Sequence, residues 1–411
     1  MGETVVKKRI AIVCQRYGLE VNGGAETLTR VWAEKLSAYY HVEVLTTCAV
    51  EYSTWANEYP AGMDYLKGIP VRRFPVDHER QVSSQRTYEA ILFRQPRTEF
   101  CPLDEAEFML AQGPASTSLL RFIEGQSSYY DAFIFVTYLY FSTVVALPLV
   151  AEKALLIPTA HDEVPFFMDC IRSLMHLPRF IFYNTVEEQT FAHKVCGNAY
   201  IPSAVVGMGV EVLADHLLPD FAAATDISAP YVLYAGRIDE AKGCRQLFEF
   251  WEKFKRSHPE HAELKLVMIG KAFIDIPHRA DIVALGFVSE EIKYAAMRSA
   301  QLLILPSSQE SLSIVVLESL LYRRPVLVNG QCDVLLGHVE RGNAGFYYLD
   351  YDQFDRNLHL LLTDKNLRDT KGADGYRYVC QNYQWDRLLT TMTSSIDRVC
   401  GQYASEGRDT L

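Results

Sequence analysis

Short apolar runs alternate with amphipathic helical patterns along the whole chain. In the first half, the apolar runs that predict strands lie at 9–14, 42–46, 71–74, 132–136, 154–157, 180–183 and 204–206. The segment 25–39 shows the helical pattern, because Leu28, Val31, Trp32 and Leu36 recur on one face. Strands that alternate with helices in this way predict parallel sheets built from β-α units.

The alternation is interrupted once, at 213–229, which is rich in Ala, Asp and Pro and is interpreted as a linker between domains. Strands are expected again at 231–235, 264–269, 302–305 and 326–328, followed by a helical tail from about residue 364. We therefore predict two doubly wound α/β domains, at 1–212 and 213–384, that face a central cleft. A C-terminal helix at about 385–411 is expected to pack back on the first domain. In such sheets, ligands bind at the carboxyl ends of the strands.

The composition of the chain limits the classes of partner and the compartment that we expect. The formal net charge of the 411 residues is −11, which disfavours nucleic acid as a partner. The nine cysteines include no C-x-x-C pair and indicate reduced thiols, hence a cytoplasmic protein. The charge-free run at 132–151 is long enough to span a membrane, but Pro148 and the strand pattern favour a buried strand followed by a turn.

A local cluster of arginines departs from the acidic average. Interspersed acidic residues favour a solvated loop and helix there, yet contact with a phosphorylated acceptor or weak peripheral contact with a membrane stays open. The arginines are Arg72, Arg73, Arg80, Arg86, Arg94 and Arg97.

Two basic residues follow the strand at 231–235, in the segment Gly236-Arg237 to Lys242-Gly243. An arginine can clamp a phosphate with its planar fork, and a lysine contributes a point charge. Two solvated surface residues would give the same pattern, so the segment alone does not decide between these interpretations.

Two carboxylates flank the start of a later helix. Glu310 precedes it, and Glu318 lies within it among apolar neighbours. A carboxylate in such surroundings needs donors, and the vicinal hydroxyls of a ribose would supply them. The intervening residues 311–314 open the helix, where free N–H groups and the positive end of the dipole suit a diphosphate. Together with Arg237 and Lys242, these residues favour a site for a nucleotide sugar.

Three further segments bear on the function. Gly23 and Gly24 join the first strand to its helix but do not form G-x-G-x-x-G, so a nicotinamide enzyme is poorly supported. His161 stands just beyond the strand at 154–157, where a cleft residue is expected. The triplet 350–352 matches the D-x-D pattern of metal-dependent sugar transferases, but it is interpreted as a solvated turn, and we predict no metal or other cofactor.

Taken together, these motifs resemble the retaining GT-B glycosyltransferases of family 4, the group 1 glycosyltransferases. The resemblance rests on four segments in the family's order: Gly23-Gly24-Ala25-Glu26, His161-Asp162, Gly236-Arg237 with Lys242-Gly243, and Glu310 with Glu318. It implies two Rossmann-like domains. One departure is Met208, which stands where the family usually has Asn.

The resemblance also implies roles for single residues. Arg237 and Lys242 would neutralise the leaving diphosphate, Glu310 would contact the donor sugar, and Glu318 would hold the ribose. His161 would line the reaction centre. Other residues expected to contact the donor are Gly23, Gly24, Gly236, Val288, Ser311, Leu312, Ser313 and Ile314.

The implied reaction is transfer of a sugar from a UDP- or GDP-linked donor to a glycan, glycolipid or small-molecule acceptor, as in the synthesis of cell-surface polysaccharide. Two alternatives stay open: a sugar-nucleotide epimerase of the same fold, and a degenerate copy that acts as a partner subunit. The sequence identifies neither the base nor the acceptor.

Overall fold

The computed structural model describes residues 7–21, 23–80, 90, 94 and 99–406. The chain divides into two compact units. The N-terminal unit comprises Met1–Met208 and Asp386–Leu411, and the C-terminal unit comprises Gly209–Trp385. Each unit contains a sheet with helices between its strands.

The N-terminal unit is built on an eight-stranded sheet in the order β3-β4-β2-β1-β5-β6-β7-β8. All neighbouring strands are parallel except β3, which is antiparallel to β4. The central strand β5 is buried along its whole length, as expected for a parallel strand covered on both faces. The strands are β1 (Arg9–Val13), β2 (His41–Thr47), β3 (Gly62–Leu66), β4 (Ile69–Phe74), β5 (Ala132–Val136), β6 (Ala154–Ile157), β7 (Phe180–Tyr183) and β8 (Ser203–Val205).

Helices connect these strands. They are α1 (Gly24–Leu36), α2 (Pro102–Gln112), α3 (Thr117–Gln126), α4 (Phe141–Ala146), α5 (Asp169–Leu174) and α6 (Val186–Cys196). Short 3-10 helices lie at Ser127–Tyr129, Leu147–Lys153 and Val164–Phe167. The charge-free run therefore forms β5, α4 and part of a 3-10 helix, as the strand interpretation predicted. Within the described part of the chain, no helix is both long and apolar enough to cross a membrane.

The C-terminal unit contains a six-stranded, fully parallel sheet in the order β11-β10-β9-β12-β13-β14. Its strands are β9 (Tyr231–Ala235), β10 (Lys265–Ile269), β11 (Ile282–Gly286), β12 (Leu303–Leu305), β13 (Val326–Asn329) and β14 (Gly345–Tyr348). The helices are α7 (Phe221–Thr225), α8 (Cys244–Ser257), α9 (Glu290–Ser299), α10 (Ile314–Leu321), α11 (Asp333–Gly342), α12 (Tyr351–Thr363) and α13 (Lys365–Asn382), with 3-10 helices at Asp215–Leu217 and Pro259–His261. The predicted class, two Rossmann-like α/β domains, is confirmed.

The segment 213–229, interpreted from the sequence as a linker between domains, belongs to the C-terminal unit. This segment forms α7, and Phe221 is buried with its ring centroid 5.1 Å from that of Tyr231. The segment therefore packs as part of the C-terminal unit. Its Ala-rich helix is too short to show a periodic pattern in the sequence.

The last helix, α14 (Trp385–Glu406), returns to the N-terminal unit. Met392 and Ile396 are fully buried. Asp397 accepts hydrogen bonds from the Lys8 ammonium at 2.9 Å and the Tyr40 hydroxyl at 3.2 Å. The helix thus contributes to the core of a unit whose other residues lie at the start of the chain.

Candidate functional site

The strand order of the C-terminal unit reverses between β9 and β12. From β9 the chain continues outwards to β10 and β11, and it then returns to the other side of β9 for β12, β13 and β14. Open α/β sheets bind ligands at the carboxyl ends of the strands beside such a reversal, which here is where the loops after β9 and β12 begin. These two loops carry Arg237, Lys242 and Glu310.

Glycines allow the loops after β9, β10 and β12 to approach one another. A Cβ atom on Gly270, after β10, would lie 1.9 Å from the carbonyl oxygen of Gly236. A Cβ on Gly243 would lie 2.5 Å from the carbonyl oxygen of Pro306, and Gly243 has a φ of +73°. Only glycine fits both the conformation and the spacing at position 243.

The two basic side chains that are predicted to bind phosphate contact acidic neighbours. The Lys242 ammonium lies 2.7 Å from Glu310 Oε1 in a largely buried ion pair. The Lys242 N–H donates to Asp239 Oδ1 at 2.8 Å, and Arg237 Nη2 lies 3.2 Å from Asp239 Oδ2. The Arg237 side chain is 54% exposed, so its guanidinium remains accessible to an anion.

The loop after β12 ends in a strained turn at the start of α10. Ser313 has left-handed backbone angles, with φ 60° and ψ 66°. Its hydroxyl is buried without a hydrogen-bond partner. The Leu312 carbonyl accepts a bond of 2.8 Å from Nε2 of the buried His338, whose Nδ1 lies 3.0 Å from the Tyr378 hydroxyl. These contacts fix the helix start and leave its first N–H groups available for a ligand.

Glu318 is buried within α10 and its carboxylate already has donors. Its Oε1 accepts bonds from the Lys293 ammonium at 2.8 Å and the Tyr294 hydroxyl at 3.0 Å. Burial, and then the charge of Glu318, raise the pKa of Tyr294 well above its ordinary value, so the hydroxyl keeps its proton. Lys293 and Tyr294 lie on α9 and belong to no motif, so sequence reasoning missed them.

Val288, the last of the predicted donor-binding residues in the C-terminal unit, follows the edge strand β11. It is half-buried, while its neighbour Phe287 is 75% exposed. The predicted donor-binding residues of this unit therefore follow the carboxyl ends of strands or open a helix, except Glu318, which lies inside α10. They are Gly236, Arg237, Lys242, Val288, Glu310, Ser311, Leu312, Ser313, Ile314 and Glu318.

Gly23, Gly24 and His161 belong to the N-terminal unit. Gly23 caps α1, and a Cβ there would lie 2.0 Å from Glu26 Oε2. Glu26 is buried and accepts bonds from Gln15 at 3.0 Å and from Arg16. A glycine is therefore needed at position 23, because a Cβ atom there would collide with the buried Glu26 carboxylate. Gly24 has nothing within 4 Å of a Cβ position, which leaves room for a ligand to approach its backbone.

His161 follows β6, and its Nε2 lies 3.4 Å from Glu163 Oε2. The other oxygen of Glu163 accepts a bond from the Tyr138 hydroxyl. Burial favours the protonated form of Glu163, but bonds to His161 and Tyr138 outweigh burial and lower its pKa below the ordinary value. The resulting carboxylate can orient the His161 ring and stabilise its protonated form.

The arginine cluster is not simply solvated. Arg73 is buried and donates to the Tyr17 carbonyl, while Arg80 is buried and donates to Gln112. Arg72 pairs with Glu43 at 2.8 Å, and Arg94 is exposed. Arg86 and Arg97 lie outside the described residues.

The D-x-D triplet has a structural explanation. The Asp350 carboxylate accepts a bond of 2.8 Å from the N–H of Gln353, so it caps α12. An N-terminal cap of this kind requires no metal ion.

Comparison with known proteins finds a family match within the C-terminal unit. Residues 221–377 match the family model for glycosyl transferases group 1. An uncharacterized glycosyltransferase of Methanocaldococcus jannaschii is 25% identical over 168 residues, which cover 38% of this chain and 42% of that protein. The matched region is therefore less than half of that relative.

Solved structures resemble nearly the whole chain. Sucrose-phosphate synthase from Thermosynechococcus elongatus has a TM-score of 0.70 at 15% identity, covering 96% of this chain and 100% of that one. Anabaena HepE in complex with UDP and glucose has a TM-score of 0.69 at 14% identity, covering 95% and 100%. WaaG, a glycosyltransferase involved in lipopolysaccharide biosynthesis, has a TM-score of 0.63 at 13% identity, covering 93% and 98%.

At these identities the structural likeness defines the fold. The chain has the GT-B fold of these structures, and its residues 221–377 match the model of the group 1 glycosyl transferases.

Proposed function

We propose that this protein is a retaining, metal-independent glycosyltransferase that uses a nucleotide diphosphate sugar as its donor. The observation that carries the proposal is the Lys242–Glu310 ion pair of 2.7 Å, which joins the loops after β9 and β12. The lysine and the exposed Arg237, both on the loop after β9, would form a site for a polyanion, and Glu310 adds a carboxylate that suits sugar hydroxyls.

The chemistry follows from charge. Cleavage of the bond between the sugar and the diphosphate leaves negative charge on the phosphates and positive character on the sugar ring. Arg237, Lys242 and the first N–H groups of α10 would stabilise the departing diphosphate, because preorganised donors need no rearrangement as the charge develops. This set of donors supplies the positive charge that a divalent cation provides in metal-dependent transferases.

Binding of the donor would rearrange the ion pair. A diphosphate competes with Glu310 for the Lys242 ammonium, and Glu310 can then accept hydrogen bonds from the sugar. The Glu318 oxygens would receive the ribose hydroxyls, with Lys293 and Tyr294 fixing the carboxylate. His161 would line the reaction centre.

Between UDP and GDP we favour UDP, because a structural neighbour, Anabaena HepE, was solved with UDP and glucose. The acceptor would be a glycan, glycolipid or small sugar, and the product a cell-surface polysaccharide or its precursor made in the cytoplasm. Buried thiols such as Cys14, Cys48 and Cys244 are unbridged, which is consistent with a reducing compartment.

Calorimetric titration with UDP, GDP and ADP in the presence of a chelator is the first test. We expect saturable binding of UDP with micromolar affinity and weaker binding of the other two. Failure of all three nucleotides to bind would overturn the proposal and would favour a non-catalytic partner subunit. Conversion of a UDP-sugar in the absence of any acceptor would instead indicate an epimerase.

Substitution of the two cations is the second test. Arg237→Ala and Lys242→Ala should each lower turnover at least a hundredfold, about 3 kcal/mol of transition-state stabilisation, while leaving the circular dichroism spectrum unchanged. Arg245→Ala is the matched control, because Arg245 is an exposed arginine on α8 that pairs with Glu240. Turnover like that of the wild type in either of the first two variants would exclude the assigned roles.

The stereochemical outcome is tested separately by proton NMR of the product. Retention requires that the anomeric configuration of the transferred sugar equals that of the donor. An inverted product would leave the donor site intact but refute the retaining mechanism.

A further inference from the structure

A histidine cluster lies in the C-terminal unit, away from the loops that carry Arg237, Lys242 and Glu310. His258 follows the end of α8, Glu260 and His261 belong to the adjacent 3-10 helix, and His359 lies on α12. The donor-site loops follow the carboxyl ends of the strands. The end of α8 lies at the opposite edge, because the helix in a β-α unit runs back against the strand direction.

Three potential ligand atoms converge in this cluster. One atom from each of His258, Glu260 and His359 lies within 4.8 Å of the other two. His258 Nδ1 is 2.9 Å from Glu260 Oε1, and His359 Nδ1 is 3.7 Å from the same oxygen. The rings of His258 and His359 stack with centroids 4.6 Å apart. His261 Nε2 lies 3.4 Å from His359 Nδ1 and is within reach as a further ligand.

Hydrogen bonding determines which nitrogen of His258 is available. His258 Nε2 lies 3.2 Å from both oxygens of Asp355 on α12 and therefore carries a proton that it donates to this carboxylate. In the neutral ring, Nδ1 then presents a lone pair to Glu260 Oε1, which is also an acceptor. Two acceptors at 2.9 Å repel one another, and either a proton on Nδ1 or a metal ion bound beside it removes this repulsion.

We propose that His258, Glu260 and His359 bind a divalent transition-metal ion of the zinc class. Imidazole nitrogen together with one carboxylate is a typical ligand set for Zn²⁺, Co²⁺ or Ni²⁺. The bond from His258 to Asp355 supplies the outer carboxylate that orients a metal-binding histidine.

The required adjustment is small. Around a tetrahedral zinc ion with bonds of about 2.0–2.1 Å, ligand atoms lie about 3.4 Å apart. Glu260 is half-exposed and His359 is 38% exposed at its side chain, so both can rotate to bring their ligand atoms to this spacing. Because the site is open to solvent, a water molecule would complete the coordination, and the affinity would be micromolar rather than that of a closed structural site.

The bound ion would join the end of α8 to α12. These segments are distant in the sequence, so cross-linking them stabilises the C-terminal unit without requiring any part of the donor site. The role is therefore structural, and it differs from the prediction that the protein uses no metal. The site could not be predicted from the sequence, because His359 is remote from the segment 258–261.

Calorimetric titration of the full chain, purified without a histidine tag, with zinc chloride at about pH 7.5 tests the site. We expect one ion per chain, an increase in Tm on addition of the ion, and visible absorption bands typical of a four- or five-coordinate site when Co²⁺ is used instead. His359→Ala should weaken zinc binding at least tenfold and abolish the increase in Tm. Asp355→Asn should weaken binding by a smaller factor, since it acts through His258.

His216→Ala serves as the matched control, because His216 is an exposed histidine of the same unit outside the cluster. It should bind zinc like the wild type. Two results would overturn the proposal. One is the absence of saturable binding by the wild type, and the other is unchanged binding by both His258→Ala and His359→Ala, which would assign the ion to the thiols.

Discussion

At the scale of single residues, Glu318 depends on a neighbouring hydroxyl that belongs to no motif. Tyr294→Phe removes one of the two donors to Glu318 Oε1 while keeping the aromatic ring. If Glu318 holds the ribose, the loss of a buried hydrogen bond of about 0.5–1.5 kcal/mol should weaken nucleotide binding about two- to tenfold.

Tyr322→Phe is the matched control for this prediction. It removes a hydroxyl that donates to the Leu213 carbonyl at 2.8 Å and leaves Oε1 of Glu318 with both its donors. Calorimetry with UDP should distinguish the two variants. Equal nucleotide affinity in both variants would indicate that Tyr294 does not position the carboxylate for the ligand.

A second residue-scale prediction concerns the pH dependence of stability. Burial raises the pKa of Glu188 from 4.5 to about 8, although the N–H groups of Asn184 and Ala160 donate to its carboxylate and oppose the shift. Because the native state holds this proton more tightly than the unfolded state, the contribution of Glu188 is fully present below about pH 4.5. It is lost progressively as the pH rises towards about 8.

Glu188→Gln removes this titration. We expect the free energy of unfolding of this variant, measured by urea titration, to fall less between about pH 5 and pH 8 than that of the wild type. The difference is up to about 5 kcal/mol if the whole pKa shift is realised. Glu124→Gln, at an exposed position of α3, should keep the wild-type pH profile. Parallel profiles for the wild type and Glu188→Gln would show that Glu188 does not titrate in this range.

At the scale of elements, the donor site depends on how closely the loops after β9 and β12 approach one another. Gly243→Ala adds a Cβ that would lie 2.5 Å from the Pro306 carbonyl oxygen at a left-handed backbone position. The loop must move away, and it carries the Lys242 ammonium with it. We expect UDP affinity to fall at least tenfold.

Gly286→Ala separates crowding from backbone strain. Gly286 also has a positive φ, of +66°, but a Cβ there meets nothing within 4 Å. This variant should therefore show only the strain of about 1–2 kcal/mol in stability, with UDP binding retained. Similar losses of UDP affinity in both variants would mean that the close approach at Pro306 is not what positions Lys242.

The elements also show where sequence reasoning succeeds. Central strands such as β1, β5, β9 and β12 are buried on both faces, so they appear as continuous apolar runs that the sequence reveals directly. The strands β3, β11 and β14 were not predicted, because they lie at sheet edges and include exposed residues. Their patterns are determined by contacts that a local window does not contain.

The same reasoning applies to the candidate site. Arg237, Lys242 and Glu310 follow strand ends and Glu318 lies inside the next helix, and these positions could be predicted from the order of the motifs. The hydrogen-bond partners of these residues could not be predicted in this way. The donors to Glu318 come from another helix, and the buried arginines of the N-terminal unit depend on carbonyl groups brought near by folding.

At the scale of the whole molecule, charge argues against attachment to a membrane. The formal net charge is −11, and two of the arginines that could have formed a basic patch, Arg73 and Arg80, are buried. Arg72 is paired with Glu43. At physiological salt the Debye length is about 8 Å, so the exposed Arg94 could attract anionic lipid only over a short range.

We therefore expect vesicles that contain phosphatidylserine to retain no more protein in a sedimentation assay than neutral vesicles do, at an ionic strength of about 0.15 M. Retention that is strong at low salt and disappears at high salt would contradict this and would assign the contact to Arg86, Arg94 or Arg97. Replacing these three residues together with serine should then abolish it. The double substitution of Lys365 and Lys371 in the C-terminal unit controls for the loss of positive charge.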